Sequence, residues 1–411
     1  MSVSRITPSV NLLFFIILRR SSQQFSAAFS KGNRNYFEIN RLQPFHLTPA
    51  FCIRHRHTFR SFSTHTSTMV VGQKYIIAKK FEGEPQPTDL TLVEDKLPPI
   101  KDGEIFLEAE YFSIDPYMRP YVQNVPLGSV MLGCQIAKII ESKNPKFPVG
   151  QRIRGYYGWR THTIINPDEW KPSRFLNEKP RVLPDFGHLS PSLGLGVLGM
   201  TGDTSYFGLL DICQPKAGET LVISGAAGAV GSHVGQIGKI NGLRVIGIAG
   251  SDEKCNWLVK DLGFDHAINY KTENIDSALR KAAPKGVDCY FDNVGGDISG
   301  TVIYRMNDFG RISVCGSISS YNSDRKGLPK TKILQPAMAF KQLKMEGFIV
   351  TRWADRCNES FAQNMKWIQE GKLKYRETVT LGFENMFKAF VGMLNGENTG
   401  KAIVKVTKAK L

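Results

Sequence analysis

Residues 224–236, "SGAAGAVGSHVGQ", are the stretch whose residue types and spacing point most directly to a binding chemistry. Glycines stand at Gly225, Gly228 and Gly231, directly after the apolar run "LVIS". A glycine turn that opens a helix presents free backbone N–H groups at the positive helix end, and these bind a pyrophosphate. The fingerprint G-x-G-x-x-G is matched in part, because Ala226 stands at its first glycine position. The turn predicts a dinucleotide phosphate site, with a plain strand-to-helix turn as the alternative.

The tip of the next predicted strand indicates which dinucleotide binds. A strand tip that reads ribose lies roughly 20 residues beyond the turn, and an NAD site places an acid there. Here the tip is Gly250 and Ser251, and the acids Asp252 and Glu253 come only afterwards, followed by Lys254. A small hydroxyl residue and a lysine suit a 2′-phosphate, so NADP(H) is favoured over NAD(H), with a solvated helix lysine as the alternative for Lys254.

These motifs lie in a chain whose pattern changes near residue 191. From there, short apolar runs such as "ETLVIS" and "RISVCGS" alternate with helical segments, which predicts a doubly wound parallel sheet. Residues 69–190 instead hold strand-like runs between proline and glycine turns, which predicts a β-rich, barrel-like domain. The predicted fold class is therefore α/β.

Composition and charge argue against several other classes. The 411 residues are 42% hydrophobic, and the longest apolar run, "NLLFFIIL", is too short to span a membrane. Half of the net charge of +16 lies in residues 1–68, and no nucleic-acid motif accompanies the rest, so nucleic acid is not a predicted partner. Seven cysteines stand without a C-x-x-C pair, so no metal site or redox dithiol is predicted.

Six motifs in residues 69–411 together resemble the prostaglandin reductase family, also called leukotriene hydroxydehydrogenases or NADPH-dependent alkenal/one oxidoreductases. This family belongs to the zinc-independent medium-chain dehydrogenase/reductase superfamily, and plant double-bond reductases share its motifs. The motifs are "DPYMRP" (115–120), "AAGAVGSHVGQI" (226–237), "GSDEK" (250–254), "YFDNVGG" (290–296), "SSYN" (319–322) and "NTGKAIVK" (398–405). The resemblance implies a GroES-like β-barrel catalytic domain at 69–190 and 368–411 around a Rossmann NADP-binding domain at 191–367, and a homodimer.

The resemblance also implies which residues hold NADP(H). Residues at the glycine turn match the pyrophosphate site, Lys254 matches the 2′-phosphate ligand beside Ser251, and Tyr270 matches a residue near the adenosine. The others match contacts along the cofactor. The full set is Gly228, Ala229, Val230, Gly231, Ser251, Lys254, Tyr270, Asn293, Cys315, Gly316, Ser317, Ile318, Tyr321, Phe348, Ile349, Val350 and Asn398.

The implied reaction is reduction of a carbon–carbon double bond conjugated to a carbonyl, in a small enone or alkenal lipid. Negative charge then builds on the carbonyl oxygen, so the site needs a hydrogen-bond donor there. Tyr321, which matches a substrate-side tyrosine of the plant relatives, is the first candidate for this catalytic role and Tyr117 the second. The alternatives are a quinone reductase of the same superfamily and a non-catalytic NADPH-binding protein.

Three other residues carry expectations. Phe340 is expected in the pocket wall, where mammalian relatives carry a tyrosine. Arg119 is expected to form an ion pair within its domain, with attraction of an acidic lipid tail as the alternative. Cys134 stands in "GCQ", where zinc-dependent relatives carry a Gly-His-Glu, and is interpreted as a core cysteine.

Residues 1–68 are rich in Ser and Arg and contain one acid, Glu38. This composition is typical of a mitochondrial presequence. The alternative is a disordered or untranslated extension, with Met69 as the working start. The family resemblance then predicts a cytoplasmic protein, whereas a functional presequence predicts a mitochondrial one.

Overall fold

The computed structural model describes residues 69–171, 178–323 and 331–407, which belong to one compact unit. The extension 1–68 lies outside the described residues, so both hypotheses about it stay predictions. Within the described ranges, no helix is both long enough and apolar enough to cross a membrane.

The described residues form strands and α-helices joined by loops, short 3₁₀ turns and a π-helical segment at Gly208–Cys213. The strands are β1 (Val70–Ile77), β2 (Leu90–Leu97), β3 (Ile105–Ser113), β4 (Gln135–Ser142), β5 (Arg152–Gly155), β6 (His162–Ile165), β7 (Arg181–Val182), β8 (Thr220–Ser224), β9 (Arg244–Ala249), β10 (His266–Asn269), β11 (Val287–Asp292), β12 (Met306–Val314), β13 (Lys344–Gly347), β14 (Glu377–Leu381) and β15 (Lys401–Lys405). The helices are α1 (Met118–Tyr121), α2 (Met200–Phe207), α3 (Ala229–Ile240), α4 (Asp252–Lys260), α5 (Ile275–Ala282), α6 (Gly296–Tyr304), α7 (Gln335–Phe340), α8 (Cys357–Gln369) and α9 (Met386–Leu394).

Six strands form a parallel sheet in the order β10-β9-β8-β11-β12-β13. All five residues of β8 are buried, as expected for a strand covered by helices on both faces. Numbered within the sheet, the order is 3-2-1-4-5-6, which is that of dinucleotide-binding folds. The direction of winding reverses between β8 and β11, so a crevice opens beyond their carboxyl ends.

A second sheet of seven strands runs in the order β14-β15-β3-β4-β5-β7, with β6 also paired to β3. It is antiparallel except for the β14–β15 pair, and β1 and β2 form a separate antiparallel pair. Strand β15 comes from the end of the chain yet pairs with β3, so the tail completes a sheet begun far earlier. The predicted α/β class, with a Rossmann sheet and a separate antiparallel domain, is confirmed; the domain bounds themselves stay a prediction.

Helix α3 positions the glycine turn against the parallel sheet. Val234 and Ile237 of α3 are fully buried and belong to the same core cluster as Leu221 and Ile223 of β8. Burying aliphatic side chains of this size stabilises the contact by roughly 1.5–3 kcal/mol each. The turn between β8 and α3 is therefore fixed at both ends by core packing.

His233, on the buried face of α3, gives the fold an acid-sensitive point. Its side chain is 4% exposed, and its Nδ1 has no hydrogen-bond partner among the described residues. Burial lowers its pKa to about 4, whereas an unfolded histidine titrates near pH ~6.5. Between these two pKa values the unfolded chain binds more protons at this histidine than the folded chain does. The free energy of unfolding therefore falls as the pH drops, by at most about 3 kcal/mol.

We expect His233→Leu to remove this part of the acid sensitivity. Urea unfolding of the wild type and the variant at several values between pH 7 and pH 4.5 measures it, with exposed His188→Leu as the control. A variant whose stability declined with acid as steeply as that of the wild type would contradict the assignment.

Candidate functional site

A cavity of about 600 Å³ lies where the crevice of the parallel sheet faces the antiparallel domain. Its walls come from the β8–α3 turn, the tips of β9 and β10, the loops after β11 and β12, residues 114–121, and residues 393–402. This volume lies within the range of roughly 300–1,000 Å³ typical of small-molecule and cofactor sites. Every predicted cofactor residue except Ser251 and Ser317 lines this cavity.

The glycine turn has the geometry of a phosphate cradle. Gly228 is the N-cap of α3 and has no side chain to cover the first amides of the helix. A Cβ on Gly231 would lie 2.5 Å from the carbonyl oxygen of Gly225, so only glycine allows the helix to approach the turn this closely. The backbone N–H groups at the start of α3 thus face the cavity at the positive end of the helix, which suits a pyrophosphate.

The strand tip after β9 carries the predicted lysine. Ser251 caps α4 by accepting a hydrogen bond from the Lys254 N–H at 3.3 Å, so its role is to start the helix. Lys254 Nζ donates to the Gly396 carbonyl at 2.5 Å, and Lys271 lines the same cavity wall. Burial and then the Lys271 charge lower the pKa of Lys254. Neither Lys254 nor Lys271 forms an ion pair with a described carboxylate. Two such cations side by side form a site that favours a dianionic group.

The Asp292 carboxylate organises the loops around this crevice. It is 4% exposed and accepts hydrogen bonds at its two oxygens from five donors. The donors are Ser224 Oγ (3.0 Å), Tyr290 Oη (2.9 Å), Val294 N (3.0 Å), Gly295 N (2.9 Å) and Ser299 Oγ (2.6 Å). Its backbone carbonyl also accepts from the amides of Cys315 and Gly316. One buried residue therefore joins the ends of β8, β11 and β12.

Tyr321 stands in the cavity wall with its hydroxyl oriented by the backbone. Its Oη accepts a hydrogen bond from the Ser317 N–H at 3.3 Å, which leaves the phenolic proton available for donation. Ser317 does not line the cavity, and its Oγ lies 3.0 Å from Ser320 Oγ. Burial raises the pKa of Tyr321, while the Ser317 N–H opposes that shift, so the phenol is protonated at neutral pH.

Tyr117 lines the cavity with its ring, but its hydroxyl is buried. The Oη has no hydrogen-bond partner among the described residues. Burial, and then the neighbouring Tyr156, raise the pKa of Tyr117 well above its ordinary value. An unpartnered buried hydroxyl costs about 1–3 kcal/mol, so this position carries a polar group that folding alone does not need.

The structure corrects the expectation for Arg119. Its guanidinium is buried, does not line the cavity, and forms no ion pair with a described carboxylate. It donates to the carbonyls of Gly83 (2.7 Å) and Phe81 (3.3 Å) and to Asn322 Oδ1 (3.2 Å). Arg119 therefore links the "DPYMRP" segment to the residue that follows Tyr321. Burial lowers the pKa of Arg119, and the charge of Asp89 opposes this shift.

Phe340 also differs from the expectation, because its side chain is 85% exposed and does not line the cavity. It is the last residue of the short helix α7, in which only Ala337 is buried. Cys134, in contrast, is buried in a cluster with Ile136, Leu195 and Ile403, which agrees with a core cysteine.

Several cavity residues were missed by the sequence reasoning. Tyr156, Lys271, Asp115 and Lys401 line the cavity. Lys271 directly follows Tyr270, so its position was the easiest to infer. The others become neighbours only through the pairing of β3, β4, β5 and β15, for which the sequence alone carries no signal.

A parallel sheet with a phosphate cradle, facing an antiparallel domain across one cavity, defines a nucleotide-binding oxidoreductase of the medium-chain dehydrogenase/reductase superfamily. Residues 73–172 match the family described as the N-terminal domain of oxidoreductase, and residues 229–370 match the family described as zinc-binding dehydrogenase. Within the described ranges, no group of three or more His, Cys, Asp or Glu side chains is arranged to hold a metal ion, so these residues do not fit a zinc site.

Similarity to known proteins defines the family more closely. The chain is 48% identical to prostaglandin reductase 1 of Bos taurus over 344 residues, which covers 82% of this chain and 100% of the relative. It is 38% identical to the NADPH-dependent curcumin reductase of Escherichia coli (strain K12), covering 81% and 96% of the two chains. The crystal structure of CurA from Vibrio vulnificus in complex with NADPH is similar with a TM-score of 0.75 and 36% identity, covering 82% and 100%. The chain belongs to the prostaglandin reductase family, and the predicted resemblance is confirmed.

The unpartnered hydroxyl of Tyr117 predicts an unusual stability result. Tyr117→Phe removes a buried group without a partner, so we expect the free energy of unfolding to stay the same or rise by about 1 kcal/mol. The matched control is Tyr75→Phe, because Tyr75 Oη donates to the Glu384 carbonyl at 2.9 Å and its loss should lower stability by about 1 kcal/mol. Thermal unfolding of both variants measures the difference; equal losses would show that the Tyr117 hydroxyl is satisfied in the folded chain.

Proposed function

We propose that this chain reduces the carbon–carbon double bond of small α,β-unsaturated ketones and aldehydes with NADPH. The observation that carries the proposal is one cavity that joins the phosphate cradle, the Lys254 and Lys271 pair and the Tyr321 hydroxyl. The relatives support it, because they are named prostaglandin reductase 1 and NADPH-dependent curcumin reductase.

The residues present fit NADP(H) at both ends of the cofactor. The amides at residues 228–231 would hold the pyrophosphate, and Lys254 and Lys271 would hold the 2′-phosphate. Cys315, Gly316, Ile318 and residues 348–350 would line the nicotinamide end. When bound, NADPH supplies a hydride to the β-carbon of the substrate.

The chain's own part in the reaction is to orient the substrate and stabilise charge on its carbonyl oxygen. We assign that donor role to Tyr321, because its Oη already accepts from Ser317 N and its proton is left for the substrate. The phenol stays neutral over the physiological pH range, since burial raises its pKa. Tyr117 is the second candidate, and its buried hydroxyl needs a change of rotamer or of its surroundings to reach a substrate. The α-carbon then takes its proton from water or from a tyrosine.

Two further properties are proposals that rest on the family resemblance. The chain is expected to form a homodimer, which light scattering on the purified full chain tests directly. Its location is expected to be cytoplasmic if synthesis starts at Met69 and mitochondrial if residues 1–68 act as a presequence. N-terminal sequencing of the native protein distinguishes the two.

A substrate panel tests the proposed reaction. With the full chain, NADPH oxidation is expected with 15-oxoprostaglandins and 4-hydroxynonenal, at higher kcat/KM than with quinones. Tyr321→Phe should lower kcat roughly 100-fold while NADPH still binds, because a charge-stabilising donor is lost. The exposed Tyr375→Phe is the control. Binding of NADPH without turnover of any conjugated carbonyl would refute the proposal, and faster quinone reduction would favour the quinone reductase.

Lys254, which follows the tip of β9, is predicted to determine the preference for NADPH over NADH. Lys254→Ala should weaken NADPH binding roughly 10–100-fold and leave NADH binding within about twofold, because one charged hydrogen bond to the 2′-phosphate is lost. The matched control is Lys260→Ala, an exposed lysine on the same helix. Titration of cofactor fluorescence measures both affinities. A parallel loss for NADPH and NADH would mean that Lys254 does not read the 2′-phosphate.

A further inference from the structure

Lys401 and Asp115 form a buried ion pair in the cavity wall. Their side chains are 3% and 4% exposed, and Lys401 Nζ lies 3.0 Å from Asp115 Oδ1. The same ammonium also donates to the carbonyls of Ile114 (2.7 Å) and Ala402 (3.1 Å). Three N–H donors thus have three acceptors, so Lys401 has no proton left to offer a substrate.

The second Asp115 oxygen is also occupied, because it accepts a hydrogen bond from Ser113 Oγ. Both charged groups line the cavity, but all three N–H donors of Lys401 are used within the fold and each Asp115 oxygen already has a donor. Their buried position next to the site therefore calls for an explanation other than direct contact with the reacting atoms. The contacts of the neighbouring residues supply one.

Gly400, which directly precedes β15, connects the start of this strand to the phosphate cradle. Its N–H donates to the Ala227 carbonyl at 2.8 Å, directly before Gly228. Gly400 has a φ of +70°, and a Cβ there would lie 2.1 Å from the Arg376 carbonyl oxygen, so the position accepts only glycine without a backbone shift. Gly400 thus contacts the phosphate cradle through its backbone. The next residue, Lys401, contacts residues 114–115 through its side chain.

Residues 114–115 lead directly into one wall of the cavity. Pro116, Tyr117, Pro120 and Tyr121 all line it. The Asp115 carbonyl accepts the Met118 N–H at 3.2 Å, and the Ile114 N–H donates to the Ala402 carbonyl at 3.2 Å, so this wall begins at the Lys401 contact. A shift of the Asp115 carboxylate would move the wall relative to the cradle.

We propose that Lys401 is a positioning residue that sets the distance between this cavity wall, residues 114–121, and the phosphate cradle. The inference rests on the proposed function in that the wall is taken to contact the enone. Gly400 holds the cradle side through its backbone, and the Lys401–Asp115 pair holds the substrate side. Removing the pair should therefore disturb substrate placement and leave cofactor binding intact.

The test compares two variants of the full chain. Because removing one partner of a buried pair leaves an uncompensated charge, the main variant is Lys401→Met with Asp115→Asn, which removes both charges together. The contrasting variant is Gly400→Ala, which should disturb the cradle contact as well. The exposed Lys405→Met on the same strand is the control.

Hydrogen exchange gives the readout that does not depend on turnover. In the double variant, amides of residues 114–122 should exchange faster, while those of residues 224–236 keep their wild-type rates. Unchanged exchange in residues 114–122 would overturn the proposal. Equal acceleration in both segments would also overturn it, because it would show a general loss of stability.

Kinetics then test the consequence for substrate placement. The double variant should lose roughly 10–100-fold in kcat/KM for the enone, because a small misplacement has this effect, with the Kd for NADPH within about twofold. In Gly400→Ala the Kd for NADPH should rise as well. A folded double variant with wild-type kcat and KM would overturn the proposal. If the wild type itself turned over no enone, the proposed function would fail while the exchange data still decided the role of Lys401.

Discussion

The buried carboxylate of Asp292 is the interaction on which the candidate site depends. It has no cationic partner among the described residues, and five hydrogen-bond donors converge on it instead. Leaving such a carboxylate unsatisfied would cost several kcal/mol, so its donors are held where it needs them. Because the donors come from the ends of β8 and β11 and the start of α6, the two halves of the parallel sheet are fixed at the point where their winding diverges. The crevice opens there, and its geometry follows from satisfying one buried charge.

A second set of contacts joins the crevice to the antiparallel domain. Arg119 links the segment after β3 to Asn322, and Lys254 reaches the Gly396 carbonyl after α9. Segments of the cavity wall that are distant in sequence are therefore joined by hydrogen bonds from long cationic side chains and by backbone bonds such as that from Gly400 to Ala227. Because β15, at the end of the chain, pairs with β3, residues 398–402 lie beside the phosphate cradle.

The sequence predicted those features that depend on neighbouring residues. The turn at residues 224–236, the helix that follows it and Lys254 at the strand tip each depend on local spacing, and alternating strands and helices identified the parallel sheet. Asp115 and Lys401 were missed because their pairing requires β15 to lie beside β3. Arg119 was expected to form an ion pair within its domain, but its guanidinium donates to the backbone carbonyls of Phe81 and Gly83 instead. Phe340 was placed by similarity to relatives, and no pattern in the sequence reports that a short helix leaves its last residue exposed.

The apolar character of the cavity also bears on the proposed substrates. Conjugated aldehydes and ketones react with thiolates, so an enzyme that binds them is at risk from its own cysteines. Cys315 lines the cavity, and burial raises the pKa of its thiol to about 12. At neutral pH it therefore stays protonated and weakly nucleophilic. The same burial raises the pKa of Tyr321 and keeps its phenol protonated, as a donor requires. Burial of these two side chains thus keeps the phenol protonated as a donor and keeps the thiol protonated, so that it does not react with the substrate.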